Sequence, residues 1–95
     1  MRASGDATPP RVWFGNPENG ERVRGEVRVN VGATDNVGVT RVEFYIDNNL
    51  FTTWTRAPYT VKWKTNSVSR GNHTLRCVAF DAAGNSASTS ITVNR

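Results

Sequence analysis

The residues whose types and spacing best suit chemistry lie in two short acidic loops. Residues 35–39 read Asp-Asn-Val-Gly-Val, and residues 81–85 read Asp-Ala-Ala-Gly-Asn. Each loop follows a run of alternating apolar residues, begins with Asp and contains Gly, which is typical of a strand ending in a turn. Two such corners predict a compact all-β sandwich with both loops at one end. An ion, a ligand or a neighbouring domain would have room there.

Catalytic constellations are missing from the sequence. It contains one histidine, His73, and has no Gly-x-Ser-x-Gly motif, no glycine-rich phosphate loop and no His or Cys cluster. No motif pairs the glutamates for general acid–base catalysis. His73 follows a turn, where a structural hydrogen bond is the expected role. The chain is therefore predicted not to be an enzyme.

The elements that position these loops are strands, because apolar and polar residues alternate along most of the chain. The inward rows are Val27, Val29, Val31; Val42, Phe44, Ile46; Tyr59, Val61, Trp63; Leu75, Cys77, Ala79; and Ile91, Val93. Residues 47–49, Asp-Asn-Asn, predict a hairpin turn. No segment has a convincing period of 3.6 residues, so essentially no helix is expected.

Length and cysteine content limit the organisation of the chain. Ninety-five residues suffice for one domain; we assign residues 1–8 to a linker and residues 9–95 to the domain. The single cysteine, Cys77, cannot form an intramolecular disulfide, and its place in an inward row predicts a buried, unreactive thiol. Residues 1–5 lack the apolar core of a signal peptide, and no run is long enough to span a membrane.

The charge of the chain is mildly basic. Twelve Lys and Arg residues against eight Asp and Glu give a net charge of +4. Such a balance could attract polyanions such as acidic glycans, teichoic acids or nucleic acid, but a solvated surface that keeps a small domain soluble is the favoured explanation. Nucleic acid is not an expected partner, because the arginines are scattered and no groove-reading or stacking motif accompanies them.

Five segments in order carry a family resemblance. They are Asn16–Gly20, Val37–Asp47, Ala57–Trp63, Gly71–Leu75 and Ala79–Asn85. Together they resemble the bacterial Ig-like domains of secreted multidomain hydrolases and surface proteins, over nearly all of residues 9–93. The resemblance implies an immunoglobulin-like β-sandwich of about seven antiparallel strands with Greek-key connections, serving as a non-catalytic module. Trp13 and Trp54 stand where such domains usually carry small or polar residues, so the resemblance does not explain them.

The sheet assignment implied by the resemblance places aromatic residues on two outer faces. One face carries Trp13 with the basic residues Arg11, Arg28, Lys62 and Lys64, and the other carries Trp54, Tyr45 and Phe80. An exposed aromatic ring beside polar groups can stack on a sugar while those groups bond its hydroxyls. Either face is a candidate carbohydrate site, or a contact surface for a neighbouring domain.

The same arrangement brings the chain start to the end of the sandwich that holds the acidic loops. Asp6, Asp35 and Asp81 would then converge, with Asn36 and Asn85 adding carbonyl oxygens. An all-oxygen cluster suits Ca²⁺. The alternative is that each Asp hydrogen-bonds the backbone of its own turn.

These patterns favour a non-catalytic accessory module of a larger secreted or cell-surface bacterial protein. Its expected work is to space, stabilise and orient adjacent domains of the same polypeptide, as a monomer without membrane insertion. No cofactor is required by this interpretation. The alternatives are a carbohydrate-binding module that takes polysaccharide and an adhesin repeat stabilised by Ca²⁺.

Overall fold

The computed structural model describes residues 8–95, so the linker assigned to residues 1–8 lies outside it except for Thr8. The seven strands are β1 (Arg11–Asn16), β2 (Glu26–Thr34), β3 (Val39–Ile46), β4 (Asn49–Trp54), β5 (Tyr59–Lys64), β6 (Asn72–Asp81) and β7 (Ser86–Asn94). One short 3₁₀ turn, Thr65–Ser67, follows β5. Among the described residues there is no other helical element, as the absence of a 3.6-residue period predicts.

The strands form two antiparallel sheets, which makes the domain an immunoglobulin-like β-sandwich. The first sheet has the order β1-β2-β5, and the second has the order β4-β3-β6-β7. The chain crosses between sheets after β2, β4 and β5, so neighbours in sequence are not always neighbours in a sheet. The Greek-key prediction and the placement of β1, β2 and β5 in one sheet are both confirmed.

The core lies between the sheets and is built from the inward rows. Trp63 and Phe44 are its largest fully buried side chains, and Leu75, Val29 and Cys77 are fully buried beside them. Because successive residues of a strand point to opposite faces, these side chains leave the outer faces to the residues between them. The predicted buried thiol at Cys77 is confirmed.

The hairpin between β3 and β4 has a two-residue loop, because Ile46 pairs directly with Asn49. Asp47 and Asn48 both adopt positive φ, at 51° and 68°. That combination defines the loop that best matches the twist of the two strands, and Asn and Asp tolerate it better than most residues. The sequence prediction of a turn here is confirmed.

The free edge of β7 is partly covered by the segment that precedes β2. Arg22 pairs with Asn94 in a parallel bridge. The amide of Val23 donates to Asn94 at 2.8 Å, and the amide of Asn94 donates to Glu21 at 3.0 Å. This coverage occupies backbone groups that an edge strand would otherwise expose. In residues 8–95, no helix has the length and apolar character needed to cross a bilayer.

Candidate functional site

Trp13 is an exposed aromatic side chain on the outer face of the first sheet. It lies between the inward-facing Val12 and Phe14 on β1, and 47% of its surface is exposed. Its register partner on β2 is Gly32. A methyl group at Gly32 would overlap the indole, so the ring lies directly on the glycine backbone. The sheet thus holds one flat apolar surface open to solvent.

A cleft of about 420 Å³ adjoins the indole. We name it the Trp13 cleft; its lining residues include Trp13, Arg28, Asn30, Pro58 and Thr60. The volume falls within the roughly 300–1,000 Å³ usual for small-molecule sites. An aromatic face beside a guanidinium and an amide can stack on a sugar ring and bond its hydroxyl groups.

The four basic residues predicted for this face do not all reach the cleft. Arg28 lines it, and Lys62 lies directly opposite Arg28 in the register of β2 and β5. Lys64 lies one outward position further toward the end of β5. Arg11 lines a separate cavity of about 230 Å³ beside the first acidic loop. The site around Trp13 is therefore smaller and less cationic than the sequence predicted.

The prediction that Trp54 belongs to an outer aromatic face is wrong. Its indole stacks on the buried Phe44 with centroids 6.0 Å apart and planes 17° apart, and its Nε1 donates to the carbonyl of Thr60 at 3.1 Å. The cause is a register shift: Phe44 pairs with Thr52 while Tyr45 pairs with Leu50, which leaves Phe51 as an extra residue. Because successive strand residues point to opposite faces, one extra residue exchanges the inward and outward positions of every residue after it. Trp54 therefore points inward.

Tyr45 and Phe80 do face outward, but their rings are already covered. The guanidinium carbon of Arg76 lies 4.5 Å from the centroid of Tyr45, and that of Arg41 lies 3.7 Å from the centroid of Phe80. The hydroxyl of Tyr45 donates to Glu43 at 2.7 Å. That hydrogen bond is the main cause that raises the pKa of Tyr45 above its ordinary value. These rings stabilise the sheet surface through cation–π contacts and offer no open platform.

The first acidic loop is tied by its own aspartate. The Oδ2 of Asp35 accepts from the amides of Val37 at 2.9 Å and Gly38 at 3.1 Å. The Oδ1 atom of Asp35 is buried without a hydrogen-bond partner among the described residues. Gly38 adopts a φ of 137°, which a side chain would resist.

The second acidic loop is tied in the same way. The Oδ1 of Asp81 accepts from the amides of Ala83 at 2.9 Å and Asn85 at 2.8 Å, and its Oδ2 accepts from the side chain of Asn85 at 3.1 Å. Burial opposes ionisation of Asp81, but hydrogen bonds from Asn85 and from the amide of Ala83 hold its pKa below the ordinary value. The two acidic loops adjoin each other, since the amide of Ala82 donates to the carbonyl of Gly38 at 3.3 Å.

The contacts of both carboxylates fit the structural role, in which each Asp stabilises its own turn. Asp6 lies outside the described residues. Within residues 8–95 no group of three or more His, Cys, Asp or Glu side chains is placed to hold a metal ion. Calcium binding stays a prediction, which the melting temperature in Ca²⁺ against EDTA would test.

His73 and Cys77 have structural surroundings. The Nδ1 of His73 contacts Oδ2 of Asp47 at 2.5 Å and its Nε2 contacts the carbonyl of Ser69 at 2.6 Å. The bond to Asp47 is the main cause that raises the pKa of His73. Burial raises the pKa of Cys77 to about 12, so its nucleophilic thiolate is scarce at neutral pH.

The structure also contains a cluster that the sequence did not suggest. Arg22, Arg24, Arg70 and Arg95 line one pocket at the end of the sandwich opposite the acidic loops. Arg22 and Arg24 flank the buried Val23, and that alternation was a readable signal. The approach of Arg70 and Arg95 depends on tertiary pairing and left no local trace in the sequence.

Two solved structures are similar to this chain in fold. The fibronectin(III)-like modules of Clostridium thermocellum CbhA are 23% identical with a TM-score of 0.77, over 90% of this chain and 46% of that one. The endo-beta-1,4-mannanase from Thermotoga petrophila is 16% identical with a TM-score of 0.76, over 97% of this chain and 21% of that one. These similarities show the fold, and this chain spans about half and about a fifth of the two structures.

No curated protein matches the chain significantly. The family model of the bacterial Ig domain matches residues 10–76, from the residue before β1 into the middle of β6. That segment contains the whole first sheet and both crossings to the second. By this match over most of its length, the chain belongs to the bacterial Ig domain family.

Proposed function

We propose that this chain is a non-catalytic accessory module that holds a polysaccharide against Trp13, within a larger secreted or cell-surface protein. The observation that carries the proposal is the Trp13 cleft. An indole that is 47% exposed lies on the backbone of Gly32, and polar side chains line the cleft beside it. Tryptophan rings are usually buried for most of their surface. An exposed ring beside hydrogen-bonding groups suits a ligand that has both an apolar face and polar groups.

A β-1,4-linked polysaccharide is the substrate class that we assign to the cleft. Pyranose rings offer an apolar face to stack on indole, and their hydroxyls match the guanidinium of Arg28 and the side-chain amide of Asn30. The likeness to a module of an endo-beta-1,4-mannanase supports this choice of polymer. Even a weak site of this kind would raise the local concentration of the polysaccharide near the other domains of the larger protein.

A second candidate function is that of a spacer that orients its neighbours. It is supported by the comparisons, because both similar structures are parts of chains much longer than the matched module. In that case Trp13 packs against an adjacent domain of the same monomeric polypeptide. The outer face of the second sheet, with Tyr45 and Phe80 covered, requires no ligand under either proposal.

Titration with soluble oligosaccharides separates the two candidates. Because Trp63 and Trp54 are packed inside the sandwich, Trp13 is the tryptophan whose fluorescence should respond to an outside ligand. Mannohexaose or cellohexaose should shift the emission to shorter wavelength in the wild-type chain and not in Trp13→Ala. A spacer would give no change with either oligosaccharide.

A further inference from the structure

The four arginines named above line a pocket of about 370 Å³ together with Val23 and Asn94. We refer to it as the arginine pocket. Its position is at the end of the sandwich where β2 and β6 begin and β7 ends. The acidic loops lie at the other end, and the Trp13 cleft lies on the outer face of the first sheet. The pocket is therefore distinct from every site considered above.

The frame of the pocket is held by backbone hydrogen bonds between three chain segments. The segment before β2 is bound to the end of β7 through Val23 and Asn94, at 2.8 Å. The end of β7 is bound in turn to the segment before β6, because Arg95 and Gly71 exchange two hydrogen bonds of 2.9 and 3.2 Å. The backbones of all three arginine-bearing segments are thus held in place before a ligand binds. This lowers the conformational entropy that is lost when several arginines bind one ligand.

The side chains of Arg22 and Arg24 leave the core together. Val23 between them is only 2% exposed and contributes to the core. Since neighbouring residues of an extended segment point to opposite sides, the two arginines share the outer side. Like charges held side by side repel each other, and an anion bound between them offsets that repulsion.

Acidic side chains near the pocket have other partners. The ion pairs of residues 8–95 are Arg41 with Glu43 and His73 with Asp47, so no carboxylate there lies within 4 Å of these four guanidinium groups. The carboxylate of Glu21, next in sequence to Arg22, accepts from the amide of Glu18 at 3.0 Å.

The net charge of the chain can be compared with the charge of the four pocket arginines. The net charge is +4, and the chain has eight Asp and Glu residues. Setting aside the four pocket arginines leaves as many basic as acidic residues. The excess charge of the domain is thus equal to the charge of one pocket. A local excess of this kind attracts anions more strongly than the same charge spread over a surface.

We infer that the arginine pocket binds anionic groups of an acidic polysaccharide. Guanidinium groups bind sulfate, phosphate and carboxylate oxygens in paired hydrogen bonds, and several in one pocket select a ligand with more than one negative charge. Nucleic acid fits less well, because none of the described residues that line the pocket is aromatic and could stack on a base. The inference goes beyond the saccharide proposal, since it concerns a different site and a different polymer charge.

Titration of the 95-residue chain, followed by NMR, tests the inference with dextran sulfate as the acidic probe. Uncharged dextran is its matched control, and inorganic sulfate is the free anion. We expect dextran sulfate to shift the amide signals of Arg22, Arg24, Arg70 and Gly71, and uncharged dextran to leave them unchanged. Inorganic sulfate should shift the same signals only at much higher concentration.

Charge-reversal variants provide the second arm. Arg70→Glu should weaken dextran sulfate binding at least about tenfold, because it removes charge-assisted hydrogen bonds and adds repulsion. Arg56→Glu makes the same charge change in the loop between β4 and β5, at the other end of the sandwich, and should weaken binding less than about twofold. Arg24→Glu should repeat the effect of Arg70→Glu.

Three results would overturn the inference. Equal weakening by Arg56→Glu and Arg70→Glu would show a diffuse charge effect without a site. Inorganic sulfate binding as tightly as dextran sulfate would assign the pocket to a free anion. A single-stranded oligonucleotide binding there more tightly than dextran sulfate would assign it to nucleic acid. The arginine pocket and the Trp13 cleft share no lining residue. Arg70→Glu should therefore leave the binding of neutral polysaccharide at Trp13 unchanged, and failure of one proposal leaves the other standing.

Discussion

At the scale of single residues, the three tryptophans of the chain differ in role. Trp63 is fully buried and Trp54 stacks on the core, whereas Trp13 is held open on Gly32. The difference follows from strand facing and from one glycine. Where a strand carries a glycine, which has no Cβ, an aromatic ring from the neighbouring strand can lie flat against the sheet. Its other face is then exposed to solvent.

Gly32→Ala should displace the indole of Trp13 without unfolding the domain. The new methyl group overlaps the ring, but the ring is the end of a movable side chain and Gly32 does not need a positive φ. We expect weaker saccharide binding and a stability loss of about 1 kcal/mol, typical of mild overpacking. Fluorescence titration and urea denaturation measure the two effects. Unchanged saccharide affinity would show that the position of the ring is irrelevant.

The pair of His73 and Asp47 should make stability depend on pH. The pKa of His73 is raised from 6.5, so its stabilisation is complete below that value and is lost as pH rises through the folded pKa. The pKa of Asp47 is lowered from 3.8, so its stabilisation is lost as pH falls through the folded pKa. The positive charge of Arg95 opposes the rise at His73 but does not cancel it.

Asp47→Asn is the variant that tests this pair, because Asn keeps the positive φ of the turn. The melting temperature of the wild type should exceed that of Asp47→Asn most between about pH 4 and 6.5. The difference should shrink above the raised pKa of His73. A difference that stays constant from pH 5 to 9 would mean that His73 remains neutral.

At the scale of elements, the alternation of apolar and polar residues predicted most of the fold, and one bulge in β4 caused an error. The inward rows, the sheet of β1, β2 and β5 and the acidic turns are as expected. Trp54 was misplaced because Phe51 is an extra residue in β4, and no sequence pattern marks it. The covering of Tyr45 by Arg76 follows from their direct pairing, which needs the register and not only the strand.

The β3–β4 turn should tolerate glycine and resist a β-branched residue at position 48. Asn48→Val forces a branched side chain into a φ of 68° and should cost about 1–2 kcal/mol. Asn48→Gly should change stability by less than about 0.5 kcal/mol, since Gly is favoured at this turn position. Thr53→Val, at an exposed position of β4, is the matched control and should be nearly neutral. Equal losses for both valine variants in urea denaturation would refute the turn argument.

At the scale of the whole molecule, three surface features lie at different places on the sandwich. The acidic turns lie at one end, the arginine pocket lies at the other, and the Trp13 cleft lies on one outer face. Inward alternation cannot predict this distribution, because the arginines of the pocket come from distant segments. Their meeting depends on the pairing of Gly71 with Arg95 and of Val23 with Asn94.

Cys77 should report the unfolding of the whole domain. It is fully buried in the central strand β6, and its pKa is raised to about 12. At pH 8 a thiol reagent should label the folded chain about 10³-fold or more slowly than the urea-unfolded chain, because a folded domain is stable by at least about 5 kcal/mol. Labelling of the folded chain at a rate close to that of the unfolded chain would contradict the core assignment.

The most direct test of the central claim is a pull-down on insoluble polysaccharides. Mannan, cellulose, xylan, chitin and peptidoglycan would be mixed with the wild type, with Trp13→Ala and with Tyr45→Ala, which removes an aromatic ring from the opposite sheet. We expect at least one polymer to retain the wild type and Tyr45→Ala but not Trp13→Ala. Failure of every polymer to retain the wild type, or equal retention of Trp13→Ala, would contradict it and favour the spacer.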